Sequence, residues 1–166
     1  MMGRTYTGAE YLALADRIRA IIPEVVLTTD IICGFCSESD EDFQATARLV
    51  KQAQLDSAYI FKYSERKHTI AARKYADDVA DHLKGQRVAK LVEIQRAITA
   101  ERNRRYIGKT VEVLIEGDAT RSATQGMGKT DGNITVVWDK STGHSGPGTL
   151  ITKHIFDASA ATLYGE

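Results

Sequence analysis

The stretch Thr28–Phe43, TTDIICGFCSESDEDF, contains a strand, a glycine-containing loop and the beginning of a helix. Aliphatic residues dominate the preceding positions and continue to Ile32, a pattern typical of a parallel strand covered on both faces. Gly34 ends the strand, and Ser39 stands where a helix N-cap belongs, followed by three carboxylates that favour the positive end of a helix. Because α/β proteins bind ligands in the loop after a strand's carboxyl end, we expect any small-molecule site here.

The composition is that of a globular protein with one large domain or two small ones. The chain has 166 residues, of which 43% are hydrophobic and 27% charged, and its formal net charge is zero. There is no strong overall field for a polyanion, no apolar run of about 18 residues and no signal-peptide core. Two cysteines without an export signal predict reduced thiols in a cytoplasmic protein with no membrane partner.

The first part of the chain alternates helices and strands. A T-x-x-E capping box at Thr7 begins a helix that Pro23 ends. A strand at 25–33, a helix at about 40–54, a second strand at 58–63 and a long helix at about 79–105 are predicted to follow. The long helix should turn Leu83, Leu91, Ile94 and Ile98 inward. Strands that alternate with helices of this length imply parallel βα units, which is an α/β fold class.

Beyond Gly108 the hydrophobic period falls to about two and glycine becomes frequent. Asp131-Gly132-Asn133 is a hairpin turn signal. Strands are predicted at Thr110–Ile115, Gly126–Thr130, Ile134–Trp138, Leu150–Phe156 and Thr162–Leu163. Several short strands separated by turn signals predict a small all-β barrel, so the domain boundary should lie near Tyr106–Lys109.

Cys33-Gly34-Phe35-Cys36 forms a C-x-x-C motif between the first strand and its helix. This position lowers a thiol pKa in thioredoxin-like proteins, so a dithiol redox protein that uses Cys33 and Cys36 is one alternative. Such folds also need a proline facing the thiols, and none occurs between Pro23 and Pro147. One C-x-x-C supplies only half of a zinc site, and there is no second pair. We therefore interpret the pair as structural.

Cations concentrate in sequence near the junction of the two parts. They are Arg87, Lys90, Arg96, Arg102, Arg104, Arg105 and Lys109. They form either the solvated side of an amphipathic helix or a surface that contacts RNA phosphates, an interaction that is salt-sensitive and blind to sequence. The predicted barrel is itself mildly acidic, so an RNA contact would depend on local geometry more than on net charge.

Motifs in a fixed order extend over nearly the whole chain. They are TTDIICGFCSESDEDF, FKYSER at Phe61–Arg66, the helix at Gln95–Asn103, GKTVEVLIEG at Gly108–Gly117, GKTDGN at Gly128–Asn133 and ATLYGE at Ala161–Glu166. The first three resemble S-T-D-I-I-x-G-F-P-x-E-T-x-E-D-F, F-x-Y-S-x-R and L-Q-x-x-I-x-x-x-x-N of the radical S-adenosylmethionine tRNA methylthiotransferases. The others resemble the TRAM domain that ends these proteins.

The resemblance implies a fold and a function. Residues 1–105 would be the last βα units of a partial radical S-adenosylmethionine TIM-type barrel, with the long connecting helix. Residues 106–166 would be an OB-like TRAM β-barrel. The members that the chain resembles 2-methylthiolate N6-isopentenyladenosine at position 37 of tRNA. They use S-adenosylmethionine and [4Fe–4S] clusters, the latter held by a C-x-x-x-C-x-x-C loop that this sequence lacks.

We therefore expect the carboxyl-terminal part of such a transferase, inactive alone, derived from a truncated reading frame, a split gene or a trimmed chain. Its expected partners are tRNA and the missing amino-terminal half as a separate chain. No catalytic residue and no metal or cofactor held by this chain alone is expected. The alternative from a binding class is a stand-alone RNA-binding TRAM protein without catalysis, and the less favoured one is the dithiol redox protein.

The resemblance also assigns site residues. The strand and loop that lie beside the adenine of S-adenosylmethionine in the family correspond here to Asp30, Ile32, Gly34 and Glu38. Ile32 would pack on the ring, and Gly34 would let the backbone approach it. The candidates for contacts to tRNA phosphates are Arg104, Arg105, Lys109 and Lys129.

Overall fold

The structure is a computed structural model that describes residues 5–120, 122–142 and 146–166. The chain divides into two compact units, the first ending at Ile98 and the second beginning at Thr99. The boundary predicted at 105–106 stays a prediction. We describe each unit by itself.

The first unit is a mixed arrangement of helices and parallel strands. Its elements are α1 (Gly8–Ile21), β1 (Thr28–Cys33), α2 (Asp40–Ala53), β2 (Ser57–Lys62), α3 (Ile70–Lys74) and α4 (Asp81–Asn103), of which α4 continues into the second unit. β1 pairs with β2 in parallel, from Thr28 opposite Ser57 to Cys33 opposite Lys62. The α/β class is confirmed, and membership of these strands in a larger barrel stays a prediction.

The predicted helix starts have the expected caps. The Thr7 hydroxyl accepts the amide of Glu10 at 3.2 Å, and the Glu10 carboxylate accepts the amide of Thr7 at 2.7 Å. Ser39 and Asp42 form the same reciprocal pair at 3.1 and 3.0 Å at the start of α2. Each box satisfies two amides that a helix end leaves unpaired, and these residues therefore set where α1 and α2 begin.

The core of the first unit lies on one side of the two strands. Cys33, Phe43, Leu91 and Ile98 belong to it, and Ile31 packs against it. The prediction that β1 is covered on both faces is wrong for the described residues, since Ile32 on the opposite face is 40% exposed. Part of the apolar side of α1 is also open, with Leu14 54% and Ile21 70% exposed. The strand and helix periods predict which side chains of an element share a face. Whether that face is buried depends on another element that packs over it.

The second unit is a closed five-stranded barrel, as predicted. Its strands are β3 (Thr110–Ala119), β4 (Ser122–Lys129), β5 (Thr135–Asp139), β6 (Leu150–Ala158) and β7 (Leu163–Gly165), in the order β3-β4-β5-β7-β6. Among the described strands of this barrel, β5 and β7 pair in parallel and the other neighbours are antiparallel. The predicted hairpin turn joins β4 to β5, where the Asn133 amide donates to the Thr130 carbonyl at 2.9 Å. Short 3-10 helices cover Arg104–Tyr106 and Lys140–Thr142.

The barrel interior is filled around the single tryptophan of the chain, Trp138, which is 1% exposed. A Cβ added at Gly126 would lie 2.6 Å from the indole ring, so this position must be glycine for β4 to pass the tryptophan. Lys153 also points inward, is 5% exposed and places its ammonium 5.6 Å from the centre of the Trp138 ring. Burial lowers the pKa of Lys153, because the charged form loses its water. The other buried core residues are Val113, Ile115, Val136, Ile155 and Leu163.

Candidate cofactor and nucleic-acid sites

The loop between β1 and α2 is held by a buried arginine of α4. The Gly34 amide donates to Glu38 Oε2 at 2.8 Å, and Arg87 Nη1 donates to the same oxygen at 2.7 Å. Arg87 Nη2 reaches Asp40 Oδ1 at 2.7 Å. The Arg87 side chain is 3% exposed and that of Glu38 13%, so this ion pair is largely shielded from water. The loop therefore has a fixed conformation on the described part of the first unit.

Gly34 is required by both its conformation and its packing. Its φ of +73° lies in the left-handed region, and a Cβ there would lie 2.3 Å from Cγ of Lys84. Lys84 is 3% exposed, forms a salt bridge with Asp77 and places its ammonium 5.2 Å from the centre of the Tyr63 ring. The space that a side chain would need at Gly34 is thus already filled by the stem of Lys84.

A second connection ties the same loop to the segment before α4. The Ser37 amide donates to Asp78 Oδ1 at 2.6 Å, and its hydroxyl donates to Oδ2 at 2.9 Å. These two hydrogen bonds from Ser37 hold the pKa of Asp78 below its usual value, because they favour the charged carboxylate. The loop after β1 therefore has contacts with both α4 and the segment that precedes it.

The structure divides the four predicted cofactor residues into two pairs. Gly34 and Glu38 meet in the buried network, where their hydrogen-bonding groups already contact each other. Asp30 and Ile32 lie on the open face of β1, opposite Tyr59 and Phe61 of β2 in the parallel register. Tyr59 is 54% and Phe61 52% exposed, so the open face is a strip of aliphatic and aromatic side chains with one carboxylate.

Sequence reasoning did not place Tyr59, Phe61, Lys84 or Arg87 at the candidate site. Alternation along β2 already places Tyr59 and Phe61 on one face, and that signal could have been used. Lys84 and Arg87 share the buried face of α4 with Leu91, which is fully buried. Their spacing of three and four residues is a helical stripe, but Arg87 was grouped with the cations near the junction and Lys84 was given no role. The assignment of Arg87 to a solvated or RNA-binding face is therefore wrong.

The residues of the first unit fit an adenine-bearing ligand in part. A flat ring can lie on the apolar side chains of the open face, and the Asp30 carboxylate can accept hydrogen bonds from amino or hydroxyl groups. Gly34 and Glu38 would act indirectly, because they fix the loop that follows β1. Their predicted contact with S-adenosylmethionine stays a prediction.

The thiols do not fit an iron–sulfur cluster. Such a cluster in this family needs three cysteines in one loop, whereas the chain has two, and both Cys33 and Cys36 are buried and free. Among the described residues no group of three histidine, cysteine or carboxylate side chains is placed to hold a metal ion. Burial and then the charge of Glu38 raise the pKa of Cys33 to about 11, opposite to the shift that a redox-active thiol requires.

Three of the four residues predicted to contact RNA lie close together in the sequence, in the segment that leads into β3. Arg104 is exposed and pairs with Glu101 at 3.3 Å. The Arg105 guanidinium lies 5.0 Å from the centre of the Tyr106 ring and donates to its hydroxyl at 3.1 Å. Lys109 follows Gly108 and is exposed. These side chains present positive charge next to an aromatic ring, which suits a nucleic-acid backbone.

Lys129, the fourth candidate, lies elsewhere on the barrel. It is opposite Leu114 in the β3–β4 register and donates to the Thr135 hydroxyl at 2.8 Å. Leu114 lies five positions after Lys109, a distance of about 17 Å along an extended chain. An RNA that contacts all four cations would therefore have to extend along β3.

Comparison with known proteins finds similarity along both parts of the chain. The sequence profile of the TRAM domain matches residues 104–166. A tRNA-2-methylthio-N(6)-dimethylallyladenosine synthase of Porphyromonas gingivalis strain W83 is 46% identical over 166 residues, which is 100% of this chain and 35% of that protein. The same-named proteins of Parabacteroides distasonis and Chlorobium luteolum are 43% and 42% identical over 100% and 99% of this chain, and each is covered to 36%.

The chain matches the carboxyl-terminal portion of the tRNA-2-methylthio-N(6)-dimethylallyladenosine synthases. It spans about a third of the length of these curated relatives. The closed barrel of the second unit coincides with the region of the TRAM domain. The synthase resemblance inferred from the ordered motifs is thus confirmed. None of the described helices has the length and apolar character needed to cross a membrane.

Proposed function

We propose that this chain contributes two functions to a methylthiotransferase that 2-methylthiolates N6-isopentenyladenosine-37 of tRNA. The barrel with its adjoining cations docks tRNA, and the open face of β1 forms part of the S-adenosylmethionine pocket. The observation that carries the proposal is identity of 42–46% to tRNA-modifying synthases along the whole chain, including a TRAM barrel. A cytoplasmic location agrees with such a substrate.

Chemistry is not assigned to this chain alone. S-adenosylmethionine together with a [4Fe–4S] cluster supplies the radical and the methyl group in the family, and the two buried thiols here cannot hold that cluster. What the residues of the first unit do in this proposal is binding and orientation. Arg87 and Lys84 fix the loop at Gly34, and Ile32 offers an apolar surface beside it.

The open surfaces of the first unit support the proposal that its strands belong to a larger barrel. β1 and β2 form a two-stranded sheet, so each strand has one edge without a strand partner among the described residues. A groove of about 290 Å³ runs beside β1 and is lined by residues of α1, β1 and α2, including Tyr11, Ile31 and Leu49. We propose that the portions of the synthases outside this match, in the same or a separate chain, cover the groove and the open face.

A stand-alone RNA-binding protein without catalysis is the second candidate function. The observation that favours it is the closed barrel, which coincides with the match to the TRAM domain. Mixing the purified chain with the remaining portion of a synthase discriminates the two. Methylthiolation that depends on this chain supports the transferase, whereas tRNA binding without any complementation supports the binding protein.

Binding of unmodified tRNA at two salt concentrations tests the docking function. We expect binding that weakens with salt, and a double variant Arg104→Ala and Arg105→Ala whose slope of log affinity against log salt is smaller by up to about 2. The double variant Lys51→Ala and Lys67→Ala is the matched control, because both are exposed lysines of the first unit outside the predicted RNA-contacting cations. Absence of binding at low salt would contradict the proposal.

A further inference from the structure

Phe156 faces outward from the barrel at a place where strand pairing is irregular on both edges of β6. The Gly108 amide donates to the Ile155 carbonyl at 2.8 Å, and the Ile155 amide donates to the Lys109 carbonyl at 2.9 Å. Two residues thus oppose one, with Gly108 at a φ of +82°, which is a β-bulge that begins with glycine. On the other edge of β6 the register shifts between Ile155 and Asp157. Phe156 is the residue that this second bulge inserts.

Phe156 is the centre of a small mixed surface. Phe156 is 55% exposed, and Ile107, on the other side of the Gly108 bulge, is 44% exposed. Lys109 and His154 are exposed and lie two residues from Ile107 and from Phe156 in the chain, and we call these four residues the Phe156 patch. Arg104 and Arg105 precede it by a few residues in the chain. Asp157, the adjacent carboxylate, accepts the amide of Ala158 at 2.8 Å.

The barrel limits what can occupy this patch. β6 pairs with β3 on one edge and with β7 on the other, so an added strand has no edge to join. The Phe156 patch consists of four residues, whereas a stable protein interface involves about 20–30 residues on each side. A ligand with one flat ring and a nearby negative charge matches this size and these side chains.

We propose that Phe156 stacks on one unpaired nucleobase of a bound RNA, while the neighbouring cations hold its backbone phosphates. Unpaired bases in RNA expose both ring faces and stack on aromatic side chains, whereas paired bases in a duplex do not. This inference rests on the proposed docking of tRNA by the same barrel and adds the contact that distinguishes unpaired from paired RNA. The cations supply the salt-dependent part of binding, and Phe156 supplies a part that depends little on salt.

The test compares Phe156→Ala and Phe156→Tyr in the complete chain. Binding of unmodified tRNA should weaken by at least about 5-fold in Phe156→Ala, with an unchanged salt slope, and should be retained in Phe156→Tyr. Leu150→Ala is the matched control, because Leu150 is 58% exposed on the same strand and lies outside the patch. A blunt RNA duplex of equal charge should bind equally to the wild type and to Phe156→Ala.

The outcomes separate this inference from the proposed function. Salt-sensitive tRNA binding that is the same in Phe156→Ala and the wild type overturns the stacking contact and leaves the docking function standing. No tRNA binding by the folded wild type overturns both. Loss of self-association, rather than of RNA affinity, in Phe156→Ala would show that the patch contacts protein and would also overturn the inference. Circular dichroism and the Phe156→Tyr variant identify any loss caused by misfolding.

Discussion

At the scale of single residues, position 34 requires glycine for two reasons, its backbone conformation and the packing around it. Its positive φ disfavours any side chain, and the stem of Lys84 fills the place where a Cβ would lie. Gly85 in α4 is the opposite case, since a Cβ added there meets nothing within 4 Å. The two glycines therefore form a matched pair, one required by tertiary packing and one tolerated in an exposed helix.

Gly34→Ala is expected to lower the free energy of unfolding by about 1–3 kcal/mol, because the new methyl group is strained and displaces Lys84. Gly85→Ala, the control, should raise it by about 1 kcal/mol through better helix propensity. Urea denaturation followed by far-UV circular dichroism measures both values. Equal effects of the two substitutions would contradict the packing described at Gly34.

Cys33 provides a prediction that depends on pH. Its pKa of about 11 exceeds the ordinary value near 9.0, so the unfolded chain loses this proton first as pH rises. The folded state should therefore be stable below about pH 9 and lose stability between pH 9 and 11. Alkylation of Cys33 in native protein at pH 8, measured by peptide mass mapping, should be much slower than in urea. Comparable rates would show that the thiol is not buried as described.

At the scale of elements, α4 is a helix that buries cations among apolar residues. Lys84 and Arg87 share a face with Leu91, and Gln95 on the same face donates to the Leu55 carbonyl at 2.8 Å. Each polar group on this face meets a loop that follows a strand or a helix. The helix thus positions the loops at the carboxyl ends of β1 and α2 as well as covering the core.

Arg87→Met is expected to lower the free energy of unfolding by about 2–4 kcal/mol, because it leaves the Glu38 carboxylate shielded without its cation. Lys90→Met is the control, since its pair with Glu93 is 57% and 72% exposed, and we expect a change within about 0.5 kcal/mol. Thermal and urea unfolding measure the two. A further substitution Glu38→Gln should recover part of the loss in Arg87→Met. Failure of that rescue would mean that Arg87 acts mainly through packing.

At the scale of the whole molecule, the chain contains two cores that share no residue. One surrounds Phe43 and Leu91, and the other surrounds Trp138. The single tryptophan makes the second core separately observable, because its fluorescence reports the barrel alone, whereas helical circular dichroism reports mainly the first unit. Two cores of this kind predict two unfolding transitions rather than one.

Arg87→Met should therefore shift the circular-dichroism transition in urea and leave the midpoint of the Trp138 fluorescence transition unchanged. The physical reason is that Arg87 contacts Glu38 and Asp40 in the first unit and stabilises only that core. Gly126→Ala, which pushes a methyl group into the Trp138 ring, should have the converse effect. Equal shifts of both probes in either variant would show that the units unfold as one.

Local sequence patterns were sufficient to predict much of the fold. The caps at Thr7 and Ser39, the turn at 131–133 and the change of hydrophobic period at Gly108 were sufficient to predict most helices and strands. Each of these features depends on hydrogen bonds or side-chain spacing within a few residues, so each can be recognised from the sequence alone. The ordered motifs likewise indicated the methylthiotransferase resemblance that the comparisons confirm.

Tertiary structure decided which faces are covered and which charges are buried. Ile31 and Ile32 have the same apolar character in the sequence, and only packing by distant elements leaves Ile31 partly buried and Ile32 exposed. The sequence alone suggested that Arg87 is solvated, because its partners Glu38 and Asp40 lie more than forty positions away and meet it only in the folded chain. A buried ion pair is stable only where its partners offset the hydration that the charges lose. The tertiary fold brings those partners together, so the local sequence does not reveal them.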